Sequence, residues 1–247
     1  MRWSLFARQD EVVPICKTKS KRYIQKVMFL SAVARPRYNP QSKTWFDGKL
    51  GIFAFVEQVA AQQSSKNRAA GTMETKGVSV TGNAYKTMMI EKLLPEIAGR
   101  FPLSRNKIII QEDGASSHNC AGAIENAAFR NHALNVEVIH QPPQSPQFNA
   151  LDCGIFNLLQ KKVYKQHPCN IDELIAAIQL SYDNMEMDSI DNVFLSVQCS
   201  MEDCLKTNGD NTTPLRHMSK GMLRRQGCLP VSISVSPYLI SSGRRLM

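Results

Sequence analysis

The chain has 247 residues, of which 43% are hydrophobic and 21% charged, a composition typical of a globular protein that buries a substantial core. Its longest apolar stretch, residues 27–34, is far shorter than the roughly 18 residues of a membrane-spanning helix, and no signal peptide is recognisable, so we expect an intracellular protein with no membrane partner. The seven cysteines form no Cys-x-x-Cys pair, which argues against a disulfide framework and a structural zinc site, and the net charge of +9 favours an anionic partner.

The positive charge is concentrated at the N-terminal end. Residues 1–40 hold nine Lys or Arg against Asp10 and Glu11, and so contribute +7 of the net charge. Such a segment is typical of a surface that binds a polyanion, although a solvated loop is the alternative. The candidate nucleic-acid-binding residues are Lys17, Lys19, Lys21 and Arg22, with Lys66 and Arg68 in a later polar segment.

The first third of the chain predicts strands. Residues 24–34 are apolar and end at Arg35-Pro36, and residues 50–57 form a second apolar run, with turn-forming residues between them that favour an antiparallel connection. Residues 2–7 indicate another short strand. The polar residues 58–83 predict a long loop.

The middle third of the chain alternates between hydrophobic patterns typical of helices and patterns typical of strands. A helix is predicted near residues 84–99, with a kink or break at Pro95, and a short buried strand over 107–111. A small-residue helical segment leads to a strand over 136–140, and a further helix begins around 150–152. This alternation predicts an α/β fold with a parallel, mixed sheet flanked by helices.

The last third predicts a helical extension. Asn170 and Glu173 resemble a capping box at the start of one helix, and a second apolar stripe runs from Ile190 to Leu205. A polar, basic tail follows residue 210.

Two carboxylates stand at positions where α/β proteins bind ligands. Asp113 follows the strand over 107–111, and Asp152 lies at the start of a helix after a proline-rich loop. Carboxylate oxygens at such an edge suit Mg²⁺ or Mn²⁺, and two such ions promote in-line phosphoryl displacement. Each aspartate taken alone is more typical of a structural cap than of a catalytic residue.

The short sequence motifs around these two aspartates resemble those of a known protein family. Residues 111–118, Gln-Glu-Asp-Gly-Ala-Ser-Ser-His, fit the pattern Q-x-D-x-A-x-x-H, and residues 143–152 fit P-x-S-P-D-x-N-x-x-D except at Gln147. The two aspartates are separated by 38 residues. The chain thereby resembles mariner-type DNA transposases of the kind found in oomycetes. Further similarity lies in residues 19–30, 45–49, 64–72 and 216–220.

The resemblance implies a ribonuclease-H-like catalytic core over residues 1–167 and a helical extension with a basic tail over 168–247. It implies a nuclear protein that binds DNA, with a possible homodimer, and no small-molecule cofactor. Asp113 and Asp152 would be the second and third of three acids that bind Mg²⁺ or Mn²⁺. His118 would lie near the metals or make a structural hydrogen bond, and Asn149 would shape the turn that delivers Asp152.

The departures from the family pattern bear on activity. The first acid belongs to a segment such as D-E-x-W-F that is not found here, and Asp10, Glu11 and Glu112 are the substitutes to consider. The helix-turn-helix module of such transposases is also missing from the chain. We therefore expect a transposase-derived DNA-binding domain with little or no cleavage activity. The alternatives are a fragment of an active transposase whose start lies upstream, and a non-catalytic basic nucleic-acid-binding protein.

Overall fold

The computed structural model describes residues 26–64, 68–102, 107–210 and 214–243. The described strands are β1 (Phe29–Val33), β2 (Arg37–Asn39), β3 (Thr44–Phe46), β4 (Lys49–Ala54), β5 (Val56–Ala60), β6 (Met73–Gly77), β7 (Ile108–Glu112) and β8 (Val136–His140). The described α-helices are α1 (Gly82–Met88), α2 (Leu94–Arg100), α3 (Ala121–His132), α4 (Phe156–Tyr164), α5 (Ile171–Asp183), α6 (Met187–Lys206), α7 (Lys220–Arg225) and α8 (Pro237–Gly243). The strand predicted over residues 2–7 lies outside these ranges.

The strands form small sheets rather than one continuous sheet. Within the described residues, β1 pairs with β4, β2 with β3, and β5 with β6, all antiparallel, whereas β7 and β8 are parallel. The fold is therefore mixed α/β, as predicted. The single mixed sheet is not found in these ranges, because the β1–β4 and β7–β8 pairs contact a shared apolar core through side chains instead of joining through their backbones.

The prediction of a loop over residues 58–83 was wrong. Much of this segment is the β5–β6 hairpin, in register from Val56 opposite Gly77 to Ala60 opposite Met73. Polar and apolar side chains are mixed in both strands without strict alternation, and all are partly or fully exposed, so the sequence lacks the pattern that marks a half-buried strand. Backbone hydrogen bonds, which leave no trace in hydropathy, hold the hairpin together.

The helix predicted near residues 84–99 is not broken at Pro95, because the helical segments from Gly82 to Arg100 follow one another without a gap. A π-helical turn, Met89–Leu93, separates α1 from α2, and the proline occupies the first turn of α2. Proline has no backbone N–H to donate inside a helix, and the wider π-helical turn directly before it is where the regular hydrogen-bond pattern changes. Thr81 caps the start of α1, where its hydroxyl accepts a hydrogen bond from the Ala84 amide at 3.2 Å.

Two apolar clusters lie against the strands. The first contains the fully buried Leu94 and Ile124 and joins α1, α2 and α3 to both the β1–β4 and β7–β8 pairs. The second contains Ile52 and the fully buried Ile155 and Ile190, and packs α4, α5 and α6 against the β1–β4 pair. The C-terminal helices thus share a core with the first strands. No helix among the described residues is long and apolar enough to cross a membrane.

The hydroxyl of Tyr182 links α5 to the irregular end of the β1–β4 pair. It accepts hydrogen bonds from the amides of Leu50 at 3.1 Å and Gly51 at 3.0 Å, and donates to the Ala32 carbonyl at 2.6 Å. The strand register shifts between Ala32 and Val33, so these backbone groups find a side chain where the ladder is interrupted. Burial raises the pKa of Tyr182 to about 12, which keeps the hydroxyl protonated.

We predict that Tyr182→Phe lowers the free energy of unfolding by about 1–3 kcal/mol, because two amides and a carbonyl lose their partner in a buried place. Urea unfolding followed by circular dichroism measures the change. Tyr238→Phe, at a tyrosine that is 77% exposed, is the matched control and should have no effect. Equal stability of the two variants would show that the Tyr182 hydroxyl does not support the strand pair.

Candidate functional site

The candidate site lies where the two parallel strands end. β7 and β8 finish opposite each other at Glu112 and His140. Side chains alternate along a strand, so Ile109 and Gln111 point away from the core while Glu112 points into it. Asp113 follows directly and is exposed to solvent. The carboxyl end of β7 therefore presents Asp113 at the surface, on an edge of the kind where α/β proteins bind ligands.

Asp113 is held by the loop that follows it. Its carboxylate Oδ1 accepts from the Ala115 amide at 3.1 Å and lies 2.7 Å from His118 Nδ1. The same nitrogen lies 3.0 Å from the Asp113 backbone carbonyl. Because both neighbouring oxygens are acceptors, Nδ1 of His118 must carry the hydrogen. The His118 ring also stacks on Tyr85, with 4.0 Å between the ring centroids.

Asp152 lies in a π-helical turn, Leu151–Ile155, that leads into α4. Asn149 shapes the start of this turn: its side-chain oxygen accepts from the Leu151 amide at 3.0 Å, and its carbonyl accepts from the Cys153 amide at 2.8 Å. Wider turns of this kind are frequent at functional positions in helices.

A hydrogen bond joins the two segments that carry the aspartates. The side-chain amide of Gln111 donates to the Phe148 carbonyl at 2.9 Å. Gln111 belongs to the first motif word and Phe148 to the second, so the proline-rich loop is fixed against the outer face of β7. The segment that begins at Asn149 consequently starts close to the end of that strand.

The charges of the two carboxylates influence each other. Partial desolvation raises the pKa of Asp152 above its ordinary value, and the negative charge of Asp113 raises it further. Both side chains are nevertheless exposed. Two hard oxygen ligands therefore face solvent within electrostatic reach of each other.

Glu112 is the buried neighbour of this pair. Its Oε2 accepts a 2.5 Å hydrogen bond from Tyr85, while its Oε1 is buried without a hydrogen-bond partner, 3.6 Å from His140 Nδ1. Burial raises the pKa of Glu112, and the Tyr85 hydrogen bond and the two histidines act in the opposite direction. Because its carboxylate is directed into the core, Glu112 is held by Tyr85 on the side of the strand opposite to Asp113.

The arrangement fits a divalent ion only in part. Asp113 and Asp152 supply the carboxylate oxygens that Mg²⁺ and Mn²⁺ prefer. The described residues contain no group of three His, Cys, Asp or Glu side chains placed to hold a metal ion. Of the substitutes for the first acid, Glu112 faces Tyr85, and Asp10 and Glu11 lie outside the described residues.

The candidate nucleic-acid contacts fall mostly outside the described ranges. Lys17, Lys19, Lys21, Arg22 and Lys66 are among the residues that the structure does not describe. Arg68 is described and forms an ion pair with Glu74 of β6. Its charge is therefore partly compensated, which reduces what it could contribute to a phosphate contact.

Sequence reasoning missed several groups of this site. Nothing indicated that Tyr85 would reach Glu112 and His118, because it lies in the helix predicted near residues 84–99 and is distant from both in sequence. A cavity of about 420 Å³ lies elsewhere, against β4, α2 and α5, and is lined by polar groups such as Lys49, Glu96 and Arg100. It does not include the aspartate edge.

A close contact fixes the Asp152 turn on α6. A Cβ atom added at Gly154 would lie 2.6 Å from Cγ2 of Val193, closer than side chains approach each other in folded proteins. Val193 is buried and branched at Cβ, so it has little freedom to move aside. The glycine thus lets the turn that carries Asp152 approach α6.

Comparisons with known proteins identified no relative: no protein-family model, no curated protein and no solved structure matches the chain.

We predict that Gly154→Ala lowers the free energy of unfolding by about 1–3 kcal/mol, because the new methyl group overlaps Val193. The loss should shrink when Val193→Ala is introduced as well, since that change vacates the space. Urea unfolding of both single variants and the double variant measures a coupling of about 0.5 kcal/mol or more. Strict additivity would mean that Gly154 is not needed for the approach to α6.

Proposed function

We propose that this chain is a transposase-derived DNA-binding domain of ribonuclease-H-like type, whose Asp113–Asp152 edge binds a divalent ion weakly and supports little or no strand cleavage. The observation that carries the proposal is the 2.9 Å hydrogen bond from Gln111 to the Phe148 carbonyl, which joins the segments that hold Asp113 and Asp152. The pKa of Asp152, raised by partial desolvation and by the charge of Asp113, agrees with it. In the proposal, the two aspartates share the end of the parallel strand pair, as the resemblance of both motifs implies.

The arrangement of elements also favours this proposal. A parallel pair, β7 and β8, is connected through α3, and the antiparallel β1–β4 pair packs against the same core. Helices lie against both apolar clusters. These features fit a mixed α/β fold, of which the proposed ribonuclease-H-like core is one kind.

The residues at the edge have distinct roles in the proposal. Asp113 and Asp152 would hold the ion, and His118 would orient Asp113 through its Nδ1 hydrogen. Gln111 would keep the Asp152 segment against β7. When bound, a pair of Mg²⁺ or Mn²⁺ ions supplies activation of water and stabilisation of the leaving oxygen in phosphodiester cleavage.

Weak cleavage follows from the number of ligands. In the proposal, Asp113 and Asp152 are the two carboxylates of the edge, and the described residues contain no group of three His, Cys, Asp or Glu side chains that could hold an ion. With fewer fixed oxygens, an ion is held less tightly and in a less defined geometry. We therefore propose binding rather than efficient cutting as the activity of the chain.

The affinity for DNA would come mainly from charge. The net charge of +9 gives the chain a general attraction to phosphates, with a strong dependence on salt concentration. This feature equally favours the second candidate, a basic nucleic-acid-binding protein in which the aspartates have no metal role. A nuclear location would follow from either candidate.

Manganese binding separates the two candidates. We predict that the wild-type chain binds Mn²⁺ in calorimetric titration and that Asp113→Ala/Asp152→Ala weakens this binding by about tenfold or more, because both carboxylate ligands are lost. The matched control is Glu57→Ala/Glu91→Ala, which removes the same charge at exposed positions of β5 and the π-helical turn after α1. Equal loss in both double variants would contradict the metal site.

The same proteins test the binding and cleavage parts of the proposal. Duplex DNA should bind with an affinity that falls steeply with salt, and supercoiled plasmid with Mn²⁺ should be nicked no faster by the wild type than by Asp113→Ala. Robust nicking that Asp113→Ala abolishes would contradict the statement on cleavage. Affinity that does not respond to salt would contradict the proposed partner.

A further inference from the structure

The β2–β3 hairpin displays two aromatic side chains in solvent. Tyr38 and Trp45 are directly opposite each other in the strand pair, with ring centroids 5.9 Å apart and the ring planes at 64°. Tyr38 is 48% exposed and Trp45 62%. Large aromatic side chains are usually buried because they contribute much apolar area, so an exposed, mutually supported pair indicates a binding surface.

The hairpin is anchored on its other face. Alternation along the strands places Arg37 and Phe46 opposite to the exposed pair, and Phe46 is buried with its ring 5.7 Å from that of Phe101. The Arg37 guanidinium lies 4.4 Å from the centroid of the Phe101 ring. The two exposed rings are therefore presented by a support that is fixed to the core.

The base and the tip of the hairpin are also ordered by polar contacts. Arg35 Nε lies 2.9 Å from Asp191 of α6. At the tip, the side-chain oxygen of Asn39 accepts from the Gln41 amide at 3.0 Å, and the Ser42 and Thr44 hydroxyls are 2.7 Å apart. Side chains on such a support lose little conformational freedom when a ligand binds.

The charge of the hairpin selects the class of ligand. Residues 35–46 include Arg35, Arg37 and Lys43 but no acidic residue. Lys43, at the turn, is exposed and makes no ion pair with the described residues. A cation beside exposed aromatic faces is the combination by which proteins bind single-stranded nucleic acid, in which the bases stack on the rings and the phosphates contact the cations.

We propose that the face of the β2–β3 hairpin formed by Tyr38 and Trp45, with Lys43 at its tip, is a stacking platform for unpaired bases of a single-stranded nucleic acid. The platform needs neither a metal ion nor strand cleavage, so it goes beyond the function proposed for the aspartate edge. An intact duplex keeps its base faces stacked inside the helix and has no free base to offer.

The test compares single-stranded and double-stranded ligands on one set of variants. Trp45→Ala should weaken the binding of a short oligothymidylate by about tenfold or more, which corresponds to the loss of one stacked base, while affinity for duplex DNA changes less than about twofold. Trp45→Phe should retain most of the affinity for oligothymidylate, because a phenyl ring still stacks on a base. Phe129→Ala is the control, since this phenylalanine is 70% exposed and belongs to α3 rather than to the hairpin.

Tryptophan fluorescence gives a second reading that does not depend on affinity. The chain has two tryptophans, and Trp3→Phe leaves Trp45 as the single reporter. Oligothymidylate should quench this fluorescence strongly in the Trp3→Phe protein, as stacking on a base requires.

Three results would overturn the proposal: absence of quenching, equal losses on single strands and duplex, or an emission shift with anionic lipid vesicles and none with the oligonucleotide. Each is distinguishable from failure of the proposed function, because Mn²⁺ binding at Asp113 and Asp152 is measured on proteins with an intact hairpin.

Discussion

The candidate site depends on the contacts that fix the segments carrying Asp113 and Asp152 to each other. Asp113 and Asp152 repel each other, and this repulsion contributes to the raised pKa of Asp152. The surrounding contacts oppose their separation: Gln111 fixes the proline-rich loop to β7, and His118 fixes the Asp113 carboxylate. Proteins tolerate such arrangements mainly at functional positions, where a cation or a proton offsets the repulsion.

Next to the exposed Asp113 lies a buried carboxylate, that of Glu112. Glu112 is buried and bonded to Tyr85, whose ring stacks on His118. Burial and the Glu112 hydrogen bond raise the pKa of Tyr85 well above its ordinary range, so the phenol remains the donor. Asp113 is thus oriented by a histidine that rests on the Tyr85–Glu112 pair. The position of the exposed Asp113 carboxylate therefore depends on the buried contacts of Tyr85 and Glu112.

One carboxylate, that of Asp191, contacts both the base of the β2–β3 hairpin and the C-terminal segment. Asp191 on α6 pairs with Arg35 at 2.9 Å and with Arg224 of α7 at 3.0 Å. Further along α6, Glu202 pairs with Arg216 at 2.6 Å, and its hydrogen bonds to Lys206 and Arg216 lower its pKa. Each such partly exposed pair adds little stability by itself, but together they define where the C-terminal segment lies on α6.

Much of the secondary structure could be predicted because it rests on local signals. The apolar runs before Asp113 and over 136–140 predicted β7 and β8, and Asn170 with Glu173 predicted the start of α5, where the Glu173 amide donates to Asn170 at 2.8 Å. The β5–β6 hairpin was missed because its strands mix polar and apolar side chains without strict alternation. The continuous mixed sheet was also expected and is replaced, in the described residues, by separate strand pairs.

The site was predictable as a pair of positions but not as a set of contacts. The motif words singled out Asp113, His118, Asn149 and Asp152, and strand order indicated which edge they would share. The Gln111–Phe148 hydrogen bond and the close approach of Gly154 to Val193 join residues distant in sequence, and nothing local encodes them. Such contacts become visible only when the packing of whole elements is known.

The most direct test of the account is the ionisation of Asp152 itself. Carboxyl-carbon NMR titration of the wild-type protein and of Asp113→Asn measures whether the two side chains interact, with Asp172→Asn as a control for the loss of one charge elsewhere. Asp152 should ionise at lower pH in Asp113→Asn, because a neutral neighbour no longer opposes its negative charge. An unchanged Asp152 pKa, or an equal decrease in both variants, would mean that the aspartates do not share one edge.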